Sequence, residues 1–379
     1  MITPLENFQK LITTRQADWI PFTLDVGAIS GFTEPVLAKF RQATGSDQPE
    51  EYFDYDFRIA SLKAHFAGES PAALHGAVEP GTSFDEWGIG HWAGGAAGTY
   101  EKIYPPLARA ETIRDVEALP VPQIDPDRPV ATVEAYHARG YPVFGYAGSA
   151  YEWSWWLRGM QAFMTDLAAD PAIAEAIIRK VAAYTTSLAL ETARMGADIL
   201  CFYDDAGMQS GMQISPKMWR RFVKPRWREI LDLLRSAYPS SVFFLHSCGK
   251  IEAIIPDIIE VGFQILHPVQ PECMDFDKIR ATYGRDLILC ACISAQQLFP
   301  FGAPADVKAW VDSAQDRYAS ENGIILCPSN RIQPETPWEN IVAFAAAARS
   351  RSRGSAEAGP LRVRVAPGTV ERSLGNGNS

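Results

Sequence analysis

Ser241-Val-Phe-Phe-Leu-His-Ser-Cys-Gly249 reads as an apolar run that stops on a polar pair and a glycine. A short run of apolar and β-branched residues bounded by turn signals has the composition of a fully buried strand in a parallel sheet. Chemistry in parallel α/β folds collects where such strands end and loops begin. His246 and Cys248 therefore stand where a functional group would stand. Side chains two positions apart on a strand share a face, so an imidazole and a thiol can converge on one atom. The plainer alternative is a buried cysteine and a hydrogen-bonded histidine at a strand end.

Runs of the same kind recur on both sides, at 19–26, 142–148, 197–205, 263–270, 287–294 and 323–330. Helical patterns fall near 4–16, 158–195, 215–237, 250–261, 304–320 and 337–349, the second broken at Asp170-Pro171, a natural N-cap followed by proline at the first helical position. Strands alternating with helices predict parallel βαβ units. About seven strands approach the eight of a TIM (β/α)8 barrel, whereas no G-x-G-x-x-G loop follows any strand to favour a doubly wound sheet. The expectation is an α/β fold, a single-domain TIM barrel over residues 1–349, with an N-terminal aromatic-rich insertion. That insertion includes Phe84-Asp-Glu-Trp-Gly-Ile-Gly-His-Trp92 and reads as a cap over a site, since disordered segments are poor in large apolar residues. The polar, Gly/Ser-rich residues 350–379 read as a disordered tail.

Bulk properties narrow the partners. The net charge of −10 supplies no electrostatic footprint for nucleic acid or for an anionic membrane surface. No run nears the ~18 apolar residues of a membrane span, and the first residues lack the charged and apolar regions of a signal peptide, so a cytoplasmic location is expected. The six cysteines, Cys201, Cys248, Cys273, Cys290, Cys292 and Cys327, all lie in the C-terminal half. That distribution suits metal or thiolate chemistry better than a disulfide framework.

The C-terminal ends of the expected strands present Asp25, Asp204, Asp205, His246, Cys248, His267, Gln270, Cys327 and Asn330. In a barrel these groups would ring one mouth. His246 and Cys248 are suitable zinc ligands. Asp204 and Asp205 face opposite ways on a strand, and the inward one is a candidate catalytic acid or base, the alternative role being a cap.

With Leu245-His-Ser-Cys-Gly-Lys250, Ile265-Leu-His-Pro-Val-Gln270, Asp204-Asp205-x-Gly207-x-Gln209 and Ile332-Gln-Pro-Glu-Thr-Pro-Trp-Glu-Asn-Ile341, the chain resembles the uroporphyrinogen decarboxylase superfamily, which includes corrinoid-dependent methyltransferases. The resemblance implies a TIM barrel. It also implies Zn²⁺ held by His-x-Cys and a distant Cys, with a corrinoid as methyl carrier, on a partner protein in some members. His246 and Cys248 match the first half of that ligand pattern. The third ligand falls at Asn330, a poor zinc donor, so either Cys327, three residues earlier, serves instead or the set is incomplete. On this reading Asp204 and Asp205 are catalytic, and Asp25, Gln209, Gln270 and Asn330 bind a small methyl donor or acceptor. The arginine-rich N-terminal motif of the true decarboxylases is absent, which argues against uroporphyrinogen itself as substrate. The alternative is a metal-free decarboxylase or lyase acting on a small carboxylated substrate.

Overall fold

The computed structural model describes residues 2–94, 102–319 and 323–351. Seven parallel strands form one curled sheet in chain order: β1 (Arg58–Ile59), β2 (Val143–Gly148), β3 (Ile199–Tyr203), β4 (Val242–His246), β5 (Ile265–Val269), β6 (Ile288–Ile293) and β7 (Ile324–Pro328). Helices carry the chain back between successive strands from β2 onward, as parallel pairing requires. The Asp170 carboxylate accepts from the Ala172 N–H and Pro171 opens the long helix Pro171–Arg194, as that dipeptide predicts. The helical pattern over 215–237 is interrupted at Val223, giving Pro216–Phe222 and Lys224–Ala237.

Strand parity sorts the core into two layers. Leu200, Phe202, Phe243, Leu245, Leu266 and Leu289 pack outward with the helices Pro171–Arg194 and Lys224–Ala237. Phe144, Cys201, Tyr203, Phe244, Cys290, Cys292 and Cys327 belong instead to a separate inner cluster on the other face of the sheet. The period of two along a strand produces this division.

Segment 19–26 differs from expectation. It bridges β7 in parallel at Phe22–Leu326, with Thr23 N–H donating to the Leu326 carbonyl at 3.0 Å and Leu326 N–H to Pro21 at 2.9 Å. On its other side the Phe22 carbonyl accepts from Asp56 N–H at 3.1 Å, while Phe22 N–H goes to the Asp56 carboxylate at 2.9 Å. Pro21 removes a donor, and side chains take bonds that a ladder would use, so no regular strand develops. The strand that pairs with β2 is instead the two-residue β1, inside a stretch whose sequence reads as irregular. Residues 83–84, 90–92 and 102–104 form a small antiparallel sheet, and the turn between its first two strands sends Trp87 against Trp153 and Tyr184 at centroid distances of 6.0 and 5.2 Å. The expected tail lies, beyond residue 351, outside the described residues. No helix among the described residues is long and apolar enough to cross a membrane.

Candidate active site

His246 ends β4 with its side chain on the inner face. Its Nδ1 lies 2.8 Å from Nδ1 of His267 on β5, and Nε2 of His267 lies 3.0 Å from the Pro328 carbonyl at the end of β7. A carbonyl only accepts, so Nε2 of His267 carries a proton, and with that ring neutral its Nδ1 accepts. His246 must then donate from Nδ1, which leaves Nε2 as a bare lone pair. Burial, followed by the neighbouring His267, holds the His246 pKa well below its usual range, so the ring stays neutral. That lone pair faces Cys248 Sγ at 3.2 Å and Asp205 Oδ1 at 3.6 Å.

Cys248 lies just past β4, two residues beyond His246. Its backbone N–H donates to Asp205 Oδ1 at 2.7 Å, which locks the loops after β3 and β4 together. Burial pushes the thiol pKa well up, with the Asp205 and Glu152 carboxylates adding to the shift, so without a cation the sulfur keeps its proton and donates to His246. Asn330 Nδ2 donates to the same sulfur at 3.4 Å, and its Oδ1 is taken by Arg331 N–H at 2.7 Å.

The two aspartates have opposite fates. Asp205 continues the inward parity of Cys201 and Tyr203; burial raises its pKa to about 6. Asp204 points outward. Its Oδ1 accepts from Ser149 Oγ and from the N–H groups of Ala150, Tyr151 and Glu152 at 2.7–3.1 Å, and its Oδ2 from Trp227 Nε1 at 2.8 Å. Asp204 thus satisfies the start of helix Tyr151–Arg158 and ties it to helix Lys224–Ala237. Buried on the outer face with five donors around it, it is turned away from the cluster, and the capping alternative describes it.

Other candidates scatter. Cys327 pairs with Cys292 across β6 and β7, its sulfur 3.6 Å away, and the two group with His267 as a second, fully buried constellation of soft ligands. Cys327 thus falls in that group, and Asp205, His246 and Cys248 form another, whose ligand atoms all lie within 4.8 Å of one another. Gln270 accepts from Gly249 N–H at 2.8 Å and braces the loop behind Cys248. Gln209 is exposed on the rim, bonded to Gln296 at 3.0 Å. Asp25 accepts one bond from Gly31 N–H at 3.1 Å, and burial raises its pKa to about 7.

Sequence reasoning missed Glu152. Its carboxylate accepts from Asp205 N–H at 3.2 Å, and burial, followed by the Asp205 charge, drives its pKa well upward. The signal was present, because Glu152 is the one acid in Tyr151-Glu-Trp-Ser-Trp-Trp156.

Comparisons with known proteins bear on the family and the fold. A methylcobamide:CoM methyltransferase, MtaA, from Methanosarcina barkeri is 33% identical over 153 residues, 40% of this chain and 41% of that one. A second MtaA, from the Fusaro strain of the same species, is 31% identical over the same length. The chain thus spans well under two thirds of these relatives. A solved methyltransferase from Methanosarcina mazei superposes with a TM-score of 0.61 over 92% of this chain and 99% of that one, at 18% identity, which is a likeness of fold. Residues 97–351 match the sequence profile described as uroporphyrinogen decarboxylase (URO-D), and the chain belongs to that family.

Proposed function

We propose that the chain is a metal-assisted methyltransferase moving a methyl group between a small substrate and a corrinoid or thiol, with Zn²⁺ held by Asp205, His246 and Cys248. The observation that carries this reading is the His246 Nε2 lone pair, aimed at Cys248 and Asp205 by a hydrogen-bonded chain ending on a backbone carbonyl. A metal-ligating histidine characteristically donates its other ring N–H in this way. Bond lengths to tetrahedral zinc put neighbouring ligand atoms about 3.3–3.7 Å apart; the 3.6 Å spacing here falls in that range and the 3.2 Å spacing just short of it.

Three protein ligands with a fourth position open are the pattern of catalytic zinc. Bound there, zinc would supply a Lewis acid able to convert a thiol into a thiolate or to polarise a leaving group. Replacing the family's second thiolate with the Asp205 carboxylate makes the set harder. Asn330, whose amide nitrogen faces Cys248, steadies the sulfur and is not itself a ligand. A corrinoid as the methyl carrier is supported by the methylcobamide in the activity of the MtaA relatives, and a corrinoid protein as partner extends that reading. We also read segment 19–26 as the stave that closes the sheet into an eight-membered barrel, because it bonds to Leu326 on one side and Asp56 on the other.

A second reading has its own support. Glu152 and Asp205 form a buried carboxyl pair, which suits a metal-free decarboxylase that delivers a proton to a carbanion. Metal analysis separates the two. About one zinc per chain is expected in the purified protein, lost in Asp205→Ala, His246→Ala and Cys248→Ala and retained in Cys327→Ala, with demethylation of methylcobalamin following the metal. Metal-free protein whose turnover survives chelators would overturn the methyltransferase reading in favour of the decarboxylase.

A further inference from the structure

Beside the cluster around Cys248 lies a cavity of about 420 Å³ walled by the rings of Phe84, Tyr146, Trp153 and Trp156 and by the acids Asp85 and Glu86. It shares helix Tyr151–Arg158 with the candidate metal site, since Glu152 reaches Asp205 while Trp153 and Trp156 line the cavity. Tyr146 also packs at 5.4 Å on Tyr203, whose ring lies 5.2 Å from that of His246. Those two ring contacts link the cavity wall to the cluster.

The described lining holds two acids and one histidine, His91, and no lysine or arginine. Asp85 is committed: it accepts from the N–H groups of Trp87 and Ile89 at 3.0 and 2.9 Å and pairs with His91 at 3.1 Å. Glu86 differs, because no side chain among the described residues donates to it, and burial has raised its pKa to about 7. A half-buried acid among aromatic faces, with only the Asp85-held His91 near it, is an arrangement that a cation would complete.

We propose that this cavity binds a methylated onium cation, such as a quaternary ammonium, against the faces of Tyr146, Trp153 and Trp156, with Glu86 as its counter-ion. The inference rests on the methyl-transfer reading and names its donor class. In the transfer the C–N⁺ bond breaks with its electron pair left on nitrogen, which departs as a neutral tertiary amine. The methyl group bonds to the electron pair of a nucleophile, either a reduced corrinoid or a thiolate. A thiol bearing a sulfonate is the wrong charge for such a box.

Calorimetric titration of the full chain with choline, with 3,3-dimethylbutan-1-ol (its uncharged carbon isostere) and with 2-mercaptoethanesulfonate tests this. Choline is expected to bind at least about tenfold more tightly than the isostere. Glu86→Gln should remove most of that ratio, and Trp156→Leu should weaken choline more than the isostere, with melting temperature and metal content held in both variants. Equal affinity for choline and the isostere, preference for the sulfonate, or a ratio unchanged in Glu86→Gln would overturn the proposal. Metal content and methylcobalamin demethylation are read on the same preparations. If they persist while choline fails, the cation assignment falls alone; if they too are missing, the methyl-transfer reading falls with it.

Discussion

Asp204 and Asp205 are adjacent and chemically identical, and the pleat of one strand separates them completely. Asp204 collects five donors from two helices, and removing its carboxylate would leave them buried without an acceptor. Asp204→Ala should therefore lower stability by about 3 kcal/mol or more, measured as the shift in urea midpoint. Asp205→Ala, which faces the mouth, should move that midpoint far less and remove bound metal instead. Parity was readable in the sequence, and so was the convergence of His246 with Cys248, because both follow from the period of a strand. The partnership of Asp205 with them was not, nor was the approach of Glu152 at 3.2 Å, because these groups arrive from other strands and helices. Separation in the chain hides such meetings. Cys327 illustrates the converse: its spacing from His246 and Cys248 suited a third ligand, yet strand pairing sets it opposite Cys292.

The loops after β3 and β4 meet backbone to backbone. A Cβ added at Gly249, where φ is +83°, would stand 2.5 Å from the Gly207 carbonyl carbon, and one added at Gly207 would stand 2.5 Å from the Cys248 oxygen. Lys250 N–H donates to the Met208 carbonyl at 2.8 Å across the same contact. Gly249→Ala and Gly207→Ala should therefore part these loops and carry Cys248 away from Asp205. Loss of bound metal with a largely retained melting transition is the outcome to look for, by elemental analysis beside circular dichroism. Elements with long apolar runs were plain in the sequence: β2 to β7 all lie within the expected ranges. The exceptions have physical causes. The two-residue β1 is too short to show a period, and 19–26 has the composition of a strand but lacks a donor at Pro21 and gives others to side-chain partners.

Across the whole molecule, Asp56 ties the stretch that leads into β1 to segment 19–26, which bridges β7. Its carboxylate accepts from Trp19 Nε1 and Phe22 N–H, both at 2.9 Å, and its own N–H bonds the Phe22 carbonyl. Asp56→Ala should destabilise the protein by about 2–4 kcal/mol, and amide exchange should quicken first at residues 20–24 and 324–328. An effect spread evenly over all strands would mean that this junction is not a separate weak point. The pinning of helix Tyr151–Arg158 on Asp204 has a further consequence. Strand β3 leads directly into both aspartates, so the helix that carries Glu152, Trp153 and Trp156 is anchored to the same few ångströms of backbone that present Asp205. On the proposed reading, recognition and reactivity would then be mounted on one bracket. A molecule entering this mouth would be measured against a template of set dimensions, and discrimination among substrates would rest on shape and charge.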